Sequence, residues 1–458
     1  LPGSSIARVY EEAEATQADV IRQAREVAAD AAKALTKPAD AVTVLNSLNW
    51  ERAALVALPE GWTCASDAQG RCLPQQTVDG RKVVEAAVPS CGWTSLKACG
   101  PKCKPAPAGS GRAQATVKGG KAVLENDLLR VEFSAAGEIT RIFDKEAQRE
   151  LAAGPCNAFR LFKDVPANYD GWDIDSMYAL TPVDLEAKAA VTVVAAGPLV
   201  ASVGIRRRVN GSDLVQDVRL RRGSRRVDFV TTVEWRESHK MLKVAFPVNV
   251  FANEAIHEIQ FGHIRRPNHQ SRPFDADRFE VAQQKWTALA EENRGFAVLN
   301  DSKYGVNVLG NTINLTLLRS PMGPDMNADK GTQTFTYAFY PWNGSLAESG
   351  VVREGYDLNV PVLTVGGAAK TVSLLSVDAP NIVVEAVKPA EDGSGDVVVR
   401  LYESKRMATR ATLTTSLKVR SASEATMLEK PQSPLAVKGG KMALEFRPFE
   451  IKTVRMKG

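Results

Sequence analysis

Apolar residues recur at three- and four-residue steps over the opening of the chain, at Ile6, Val9, Tyr10, Ala13, Val20, Ala24, Val27, Ala31 and Leu35. That spacing stacks them on one stripe of an amphipathic helix, because about 3.6 residues complete a turn. Ser4 or Ser5 stands where it can cap the start, and Pro38 cannot continue the helix. At 1.5 Å per residue such a helix is about 45 Å long. A stripe of that length needs partners. One reading lays the helix across a β-unit. The other makes it the last helix of a bundle whose other members lie outside this chain. No later segment carries a matching helical pattern, which favours the second.

After Pro38 the period shortens to that of strands. Short β-rich stretches fall at 42–45 and 53–57. From Ala113 onward strand signals recur roughly every 8 to 12 residues, at 128–133, 191–194, 203–209, 227–233, 242–251, 295–299, 313–318 and 334–340. Repeated short strands with few helices predict sandwich architecture. The Pro/Gly/Ser run at 104–111 and the pair Gly366-Gly367 read as boundaries. Beyond the second, strands are expected at 371–375, 382–387, 397–401, 411–419 and 442–454. The chain thus reads as mainly β. Residues 1–38 form a helix of a truncated bundle, and 39–112 a small β domain with a cysteine-rich insert. Residues 113–365 form a large double-sheet super-sandwich, and 366–458 a C-terminal β-sandwich.

Composition changes this picture little. At 458 residues, 44% hydrophobic, 24% charged and with net charge +5, the sequence has the balance of a globular protein of several domains. The basic run Arg219-Leu220-Arg221-Arg222-Gly223-Ser224-Arg225-Arg226 is flanked by alternating residues around a Gly-Ser turn, so a solvated hairpin is expected rather than a nucleic-acid patch. No apolar run approaches the roughly 20 residues that span a bilayer. Cys64, Cys72, Cys91, Cys99 and Cys103 cluster, with Cys156 apart. No paired C-x2-C step occurs, so one or two disulfides are expected ahead of a metal site, which favours a periplasmic or secreted location.

Candidate chemistry is sparse. Four histidines, His239, His257, His263 and His269, include no metal-binding pair, and satisfied structural roles are expected. His257 and His263, six apart, could share one strand face. Walker, GxGxxG and GxSxG motifs are absent from the sequence. The unusual stretch is Asn168-Tyr169-Asp170-Gly171-Trp172-Asp173-Ile174-Asp175, in which two aromatics interleave with three carboxylates and Gly171 supplies backbone freedom. Aromatic faces stack on the C–H surface of sugars and carboxylates accept from hydroxyls, so these parts suit a hexose pocket. A polar loop anchored by one Trp is the alternative.

The chain resembles the bacterial and vacuolar type of glycoside hydrolase family 38 α-mannosidases. The resemblance rests on segments in shared order: Leu1-Pro2-Gly3-Ser4-Ser5-Ile6, Leu124-Glu125-Asn126, Asp144-Lys145-Glu146, Asp164-Val165-Pro166, Val233-Glu234-Trp235, His239-Lys240-Met241, Arg266-Pro267-Asn268-His269, Leu299-Asn300-Asp301-Ser302-Lys303-Tyr304-Gly305 and Leu318-Arg319-Ser320-Pro321. It implies a retaining hydrolase of α-linked mannose in glycans, with an Asp nucleophile, an Asp acid/base and one zinc ion. It also implies that all of these reside in an N-terminal catalytic barrel and bundle outside this chain. No catalytic or metal-ligating residue is then expected among these 458, and the chain alone is expected to be inactive. The large double sheet is expected to be galactose mutarotase-like. By match of motif, Tyr169, Asp170, Trp172, Asp173 and Asp175, with Lys303 and Tyr304, are expected to bind mannose. A non-catalytic carbohydrate-binding β-sandwich protein is the alternative. A sugar mutarotase using His263 and Glu258 is a third reading. The cysteine-rich insert departs from the family pattern, as does Gly171, which stands where a bulkier residue is expected.

Overall fold

The computed structural model describes residues 5–99, 106, 109 and 111–458. Residues 1–4, Cys103 and most of the 104–111 run lie outside them. The opening helix spans Ala7–Leu35, and its N-cap residue is Ile6, with no side-chain cap. Ser5 instead donates its N–H to Tyr10 Oη. The last turn meets a sheet, where Thr36 Oγ1 donates to Gly366 O at 3.2 Å, and Ala32 is the one buried residue of the helix. The predicted stripe stays uncovered, with Val20 59% and Val27 70% exposed.

The centre of the molecule is two facing layers. One is a nine-stranded sheet in the order Ala189–Ala196, Val200–Val209, Ser212–Arg221, Val227–Trp235, Gly331–Asn343, Arg294–Asn300, Trp286–Glu291, Glu254–Ile259, Gly262–Pro267. Its neighbours are antiparallel throughout. The other layer is a six-stranded sheet built around Ala158–Lys163, Lys240–Pro247 and Thr312–Leu318, with a five-stranded sheet that includes Leu129–Phe133 and Ile139–Asp144. Strand Val227–Trp235 buries every second residue, because successive side chains point to opposite faces. Phe229 from the nine-stranded sheet meets Phe246 from the six-stranded one at 6.0 Å between centroids. Leu124, Val131 and Ile142 of the five-stranded sheet join the same core. Each fully buried side chain of this kind contributes about 1.5–3 kcal/mol. Within it Asn157, Gln216 and Tyr337 close a ring of hydrogen bonds: Asn157 Nδ2 donates to Gln216 Oε1 at 2.9 Å, Gln216 Nε2 to Tyr337 Oη at 2.7 Å, and Tyr337 Oη to Asn157 Oδ1.

The small β-unit pairs Lys37–Asn46 with both Gly92–Ala98 and Leu363–Ala368. The boundary expected between 365 and 366 therefore runs through a strand. Gly367 (φ +103°) lies where a side chain would meet Lys37 O at 2.8 Å, so the Gly-Gly pair marks a close strand crossing rather than a linker. The final sandwich sets Leu375–Val377, Thr409–Thr415 and Lys441–Phe446 against a five-stranded sheet containing Ile382–Pro389 and Ile451–Lys457. The single strand expected at 442–454 is two.

The basic run does form a hairpin, with Gly223 (φ +62°) in its turn. Its arginines, however, are paired rather than solvated. Arg225 Nη1 binds Asp144 at 2.7 Å, Arg226 Nε binds Asp228 at 2.7 Å and Nη1 binds Glu354 at 2.9 Å, and Arg222 Nε reaches Glu85 at 2.9 Å. Among the cysteines, Cys72 is disulfide-bonded, whereas Cys64, Cys91, Cys99 and Cys156 are free.

Candidate functional site

Strand Ala158–Lys163 leaves the six-stranded sheet into a loop that returns as Pro182–Val183. Asp164 opens this loop, fully buried, and accepts a 2.6 Å hydrogen bond from Arg319 Nε. The same guanidinium donates through Nη2 to Asp173 O at 2.6 Å and Asp170 O at 3.4 Å. One arginine, just beyond the strand Thr312–Leu318, thereby holds the loop at three points.

Asp170 is a clamp. Its Oδ2 accepts from Met322 N at 2.7 Å and Gly323 N at 3.0 Å, and lies 2.9 Å from His239 Nε2. Burial pushes this carboxyl up, but these partners more than offset it and leave its pKa below the usual value. Tyr169 adopts φ +55°, a region that penalises a bulky side chain. Its carbonyl accepts the N–H groups of Trp172 and Asp173 at 2.8 and 2.9 Å. The left-handed residue of the loop is therefore Tyr169, not Gly171. Asp175 Oδ1 accepts from Met177 N at 3.0 Å, ahead of the 3-10 turn Tyr178–Leu180. Among the side chains the loop leaves to solvent are Tyr169 and Trp172, 73% and 45% exposed, and Asp173.

Lys303 and Tyr304 follow the strand Arg294–Asn300. Lys303 N–H donates to Asn300 Oδ1, and Gln283 Nε2 donates to Lys303 O, both at 2.8 Å. Lys303 Nζ lies 4.6 Å from the centroid of Phe335. Burial lowers its pKa, opposed by the charges of Asp329 and Asp301. Asp329 in turn accepts the N–H of Arg319 at 3.1 Å. The segment beginning at Arg319 thus connects the two groups singled out in the sequence. Its side chain holds the Tyr169–Asp175 loop, and its backbone faces the acid that sits in the field of Lys303. Asp170 and Asp175 are engaged by the protein's own N–H groups. Tyr169, Trp172, Asp173 and Tyr304 are open to solvent.

Arg319, Asp164, His239 and Asp329 were not singled out as site residues from sequence. The first three stood within segments that carry the family resemblance, but nothing local signals that their charges meet. His257 and His263 have structural roles. His257 Nδ1 lies 3.0 Å from Thr287 Oγ1, and burial lowers its pKa to about 3. His263 packs edge-on to Phe449, and burial lowers it to about 4. The two sit on adjacent strands of a hairpin rather than on one strand, with Glu258 in register with His263. Glu258 is held by Lys285 through N at 2.7 Å and Nζ at 3.1 Å, which removes it as a free acid or base beside His263. Among the described residues no three His, Cys, Asp or Glu side chains gather to hold a metal. The zinc implied by resemblance therefore does not fit the described side chains of this chain.

Exposed rings beside carboxylates suit a polyhydroxylated ligand. Residues 124–327 match the model described as glycosyl hydrolases family 38 C-terminal domain, and residues 381–454 match that family's C-terminal beta sandwich domain. The chain belongs to glycosyl hydrolase family 38, in the region of its C-terminal domains. It is 34% identical over 468 residues to Alpha-mannosidase 2C1 of Homo sapiens, covering 98% of this chain and 43% of that protein. It is also 34% identical to Alpha-mannosidase G of Dictyostelium discoideum over 73% of this chain and 32% of that protein. The chain spans less than half the length of these relatives. An alpha-mannosidase structure from Enterococcus faecalis V583 shares the fold, with TM-score 0.81 at 16% identity over 99% of this chain and 61% of that one.

Proposed function

We propose that these residues form the β-portion of a zinc-dependent, retaining α-mannosidase that removes α-linked mannose from glycans. The observation that carries this reading is the 34% identity to Alpha-mannosidase 2C1 across 98% of the chain. In this reading the nucleophile, the acid/base and the zinc ligands belong to sequence outside these 458 residues, in keeping with the 43% of that relative that is covered.

The part played by this chain is positioning. Tyr169 and Trp172 stack on C–H faces of the sugar, Asp173 and Lys303 meet its hydroxyls, and Tyr304 borders the ring. Arg319, Asp164, Asp170 and His239 hold that loop in place. Holding a substrate in reactive geometry can contribute several kcal/mol to the barrier. The test uses an enzyme in which the hydrolytic half is joined to this chain. Trp172→Ala is expected to lower kcat/KM for nitrophenyl α-mannoside by about tenfold, with an unchanged unfolding temperature. An unaltered kcat/KM would remove the loop from the site.

A further inference from the structure

A cavity of about 770 Å³ separates the small β-unit from the arginine-bearing hairpin, and its walls include Arg52, Ser202, Arg221, Arg226 and Asp357. It lies apart from the loop that carries Tyr169 and Trp172, none of whose residues line it. Arg52 opens the strand Arg52–Ala57, and its side chain is only 7% exposed. One corner of its guanidinium is engaged: Nη1 donates to Val360 O at 2.6 Å and meets Asp357 Oδ1 at 3.4 Å. Nε and Nη2, the two nitrogens of the other edge, are buried without any hydrogen-bond partner. The hydroxyl of Ser202, a residue 1% exposed on strand Val200–Val209, is likewise buried and unpartnered.

Buried donors are normally satisfied, because leaving one unmet forfeits its hydration without return. An unpaired guanidinium edge is the costlier case, since it carries charge. The chain itself shows what that edge takes. Arg226 uses Nε and Nη2 to hold the two oxygens of Asp228, at 2.7 and 3.4 Å. Arg272 uses the same pair on the two oxygens of Asp275, at 2.8 and 3.0 Å. The fork geometry matches two oxygens carried on one centre. Three other carboxylates of the cavity wall already have cationic partners: Asp228 and Glu354 have Arg226, and Glu85 has Arg222. Burial disfavours the charge on Arg52, Asp357 supports it, and Arg221 and Arg226 add a smaller positive potential that opposes it.

We propose that Arg52 and Ser202 form a binding site for a small oxyanion, the phosphoryl or carboxylate group of a small molecule, seated on the empty Nε/Nη2 edge. This site is independent of the mannose reading and would stand if that reading fell.

The experiment is calorimetric titration of the 458-residue chain with inorganic phosphate and, separately, with acetate, at matched ionic strength in chloride. One-to-one binding is expected for at least one of them at about 10 mM or below, with a matching rise in unfolding temperature. The stronger of the two identifies the group. Arg52→Lys retains a cation for Val360 O and Asp357 but has no fork, and is expected to abolish binding. Ser202→Ala leaves every observed contact of Arg52 intact and is expected to weaken binding about tenfold, as loss of one hydrogen bond to a charged group does. It decides the matter even where the Arg52 variant fails to fold. No stoichiometric binding of either anion overturns the proposal. So does binding that Ser202→Ala leaves undiminished, since the ions would then sit elsewhere.

Discussion

His239 Nε2 lies 2.9 Å from Asp170 Oδ2, joining the exposed aromatic loop to a strand end 69 residues further along the chain. His239 is itself fixed, with φ +49° and its N–H donating to Ser320 O at 2.7 Å. The loop is therefore a built feature, held by polar contacts at Asp170 and Arg319 and by the buried ring of Tyr178 against Phe162. Its carboxylate has a depressed pKa, so the sign of its pH effect follows. Stability from Asp170 is fully present above the unfolded value of about 3.9 and is lost as pH falls through the lower folded value. Asp170→Asn is expected to cost about 1–3 kcal/mol near neutrality and to flatten the acid limb. Urea unfolding between neutrality and acid checks both. A variant with the wild-type acid limb would show that other carboxylates set it.

Arg319 is the central tie of the same loop. Arg319→Ala leaves Asp164 buried without its hydrogen-bonded guanidinium, a change that typically costs about 3–5 kcal/mol. Equilibrium urea denaturation measures it. A loss below about 1 kcal/mol would mean that solvent reaches Asp164 after all.

In the core, Tyr337→Phe removes one member of the ring with Asn157 and Gln216. The two fully buried amides then lose a partner, and about 1–3 kcal/mol of stability should go with it. The ring also constrains Tyr337 chemically, since burial pushes its phenol well above the ordinary range. Ultraviolet titration should show no ionisation of this tyrosine before the protein unfolds in alkali.

The opening helix gives the opposite expectation. Val20 and Val27 are more than half exposed, so Val20→Ser or Val27→Ser should change the stability of this chain by no more than about 0.5 kcal/mol. Phe229→Ala, in the double-sheet core, should cost about 3–5 kcal/mol. Comparable losses from the two sites would show that the helix stripe is covered in solution.

Sequence pattern revealed the architecture where the cause is local. Strand Val227–Trp235 is legible because alternate residues face one core. Leu129–Phe133 follows for the same reason. The division at Ile451 was not legible. Pro448 was the one local signal of the reversal, which places Phe449 at φ +59°, a conformation an aromatic residue does not announce. The pairing of Leu363–Ala368 with Lys37–Asn46 was hidden because its partner lies more than 300 residues away. At the candidate site, composition identified the loop and family resemblance identified Lys303 and Tyr304. Neither could show that Asp170 faces inward, because its donors at 239, 322 and 323 meet it only through the fold.

The central claim is that this chain contributes position and not hydrolysis. Its most direct test is release of nitrophenol from nitrophenyl α-mannoside by the pure 458-residue polypeptide, with and without added zinc. The account predicts no release above the buffer rate in either condition. Sustained, zinc-stimulated turnover by that material would contradict it.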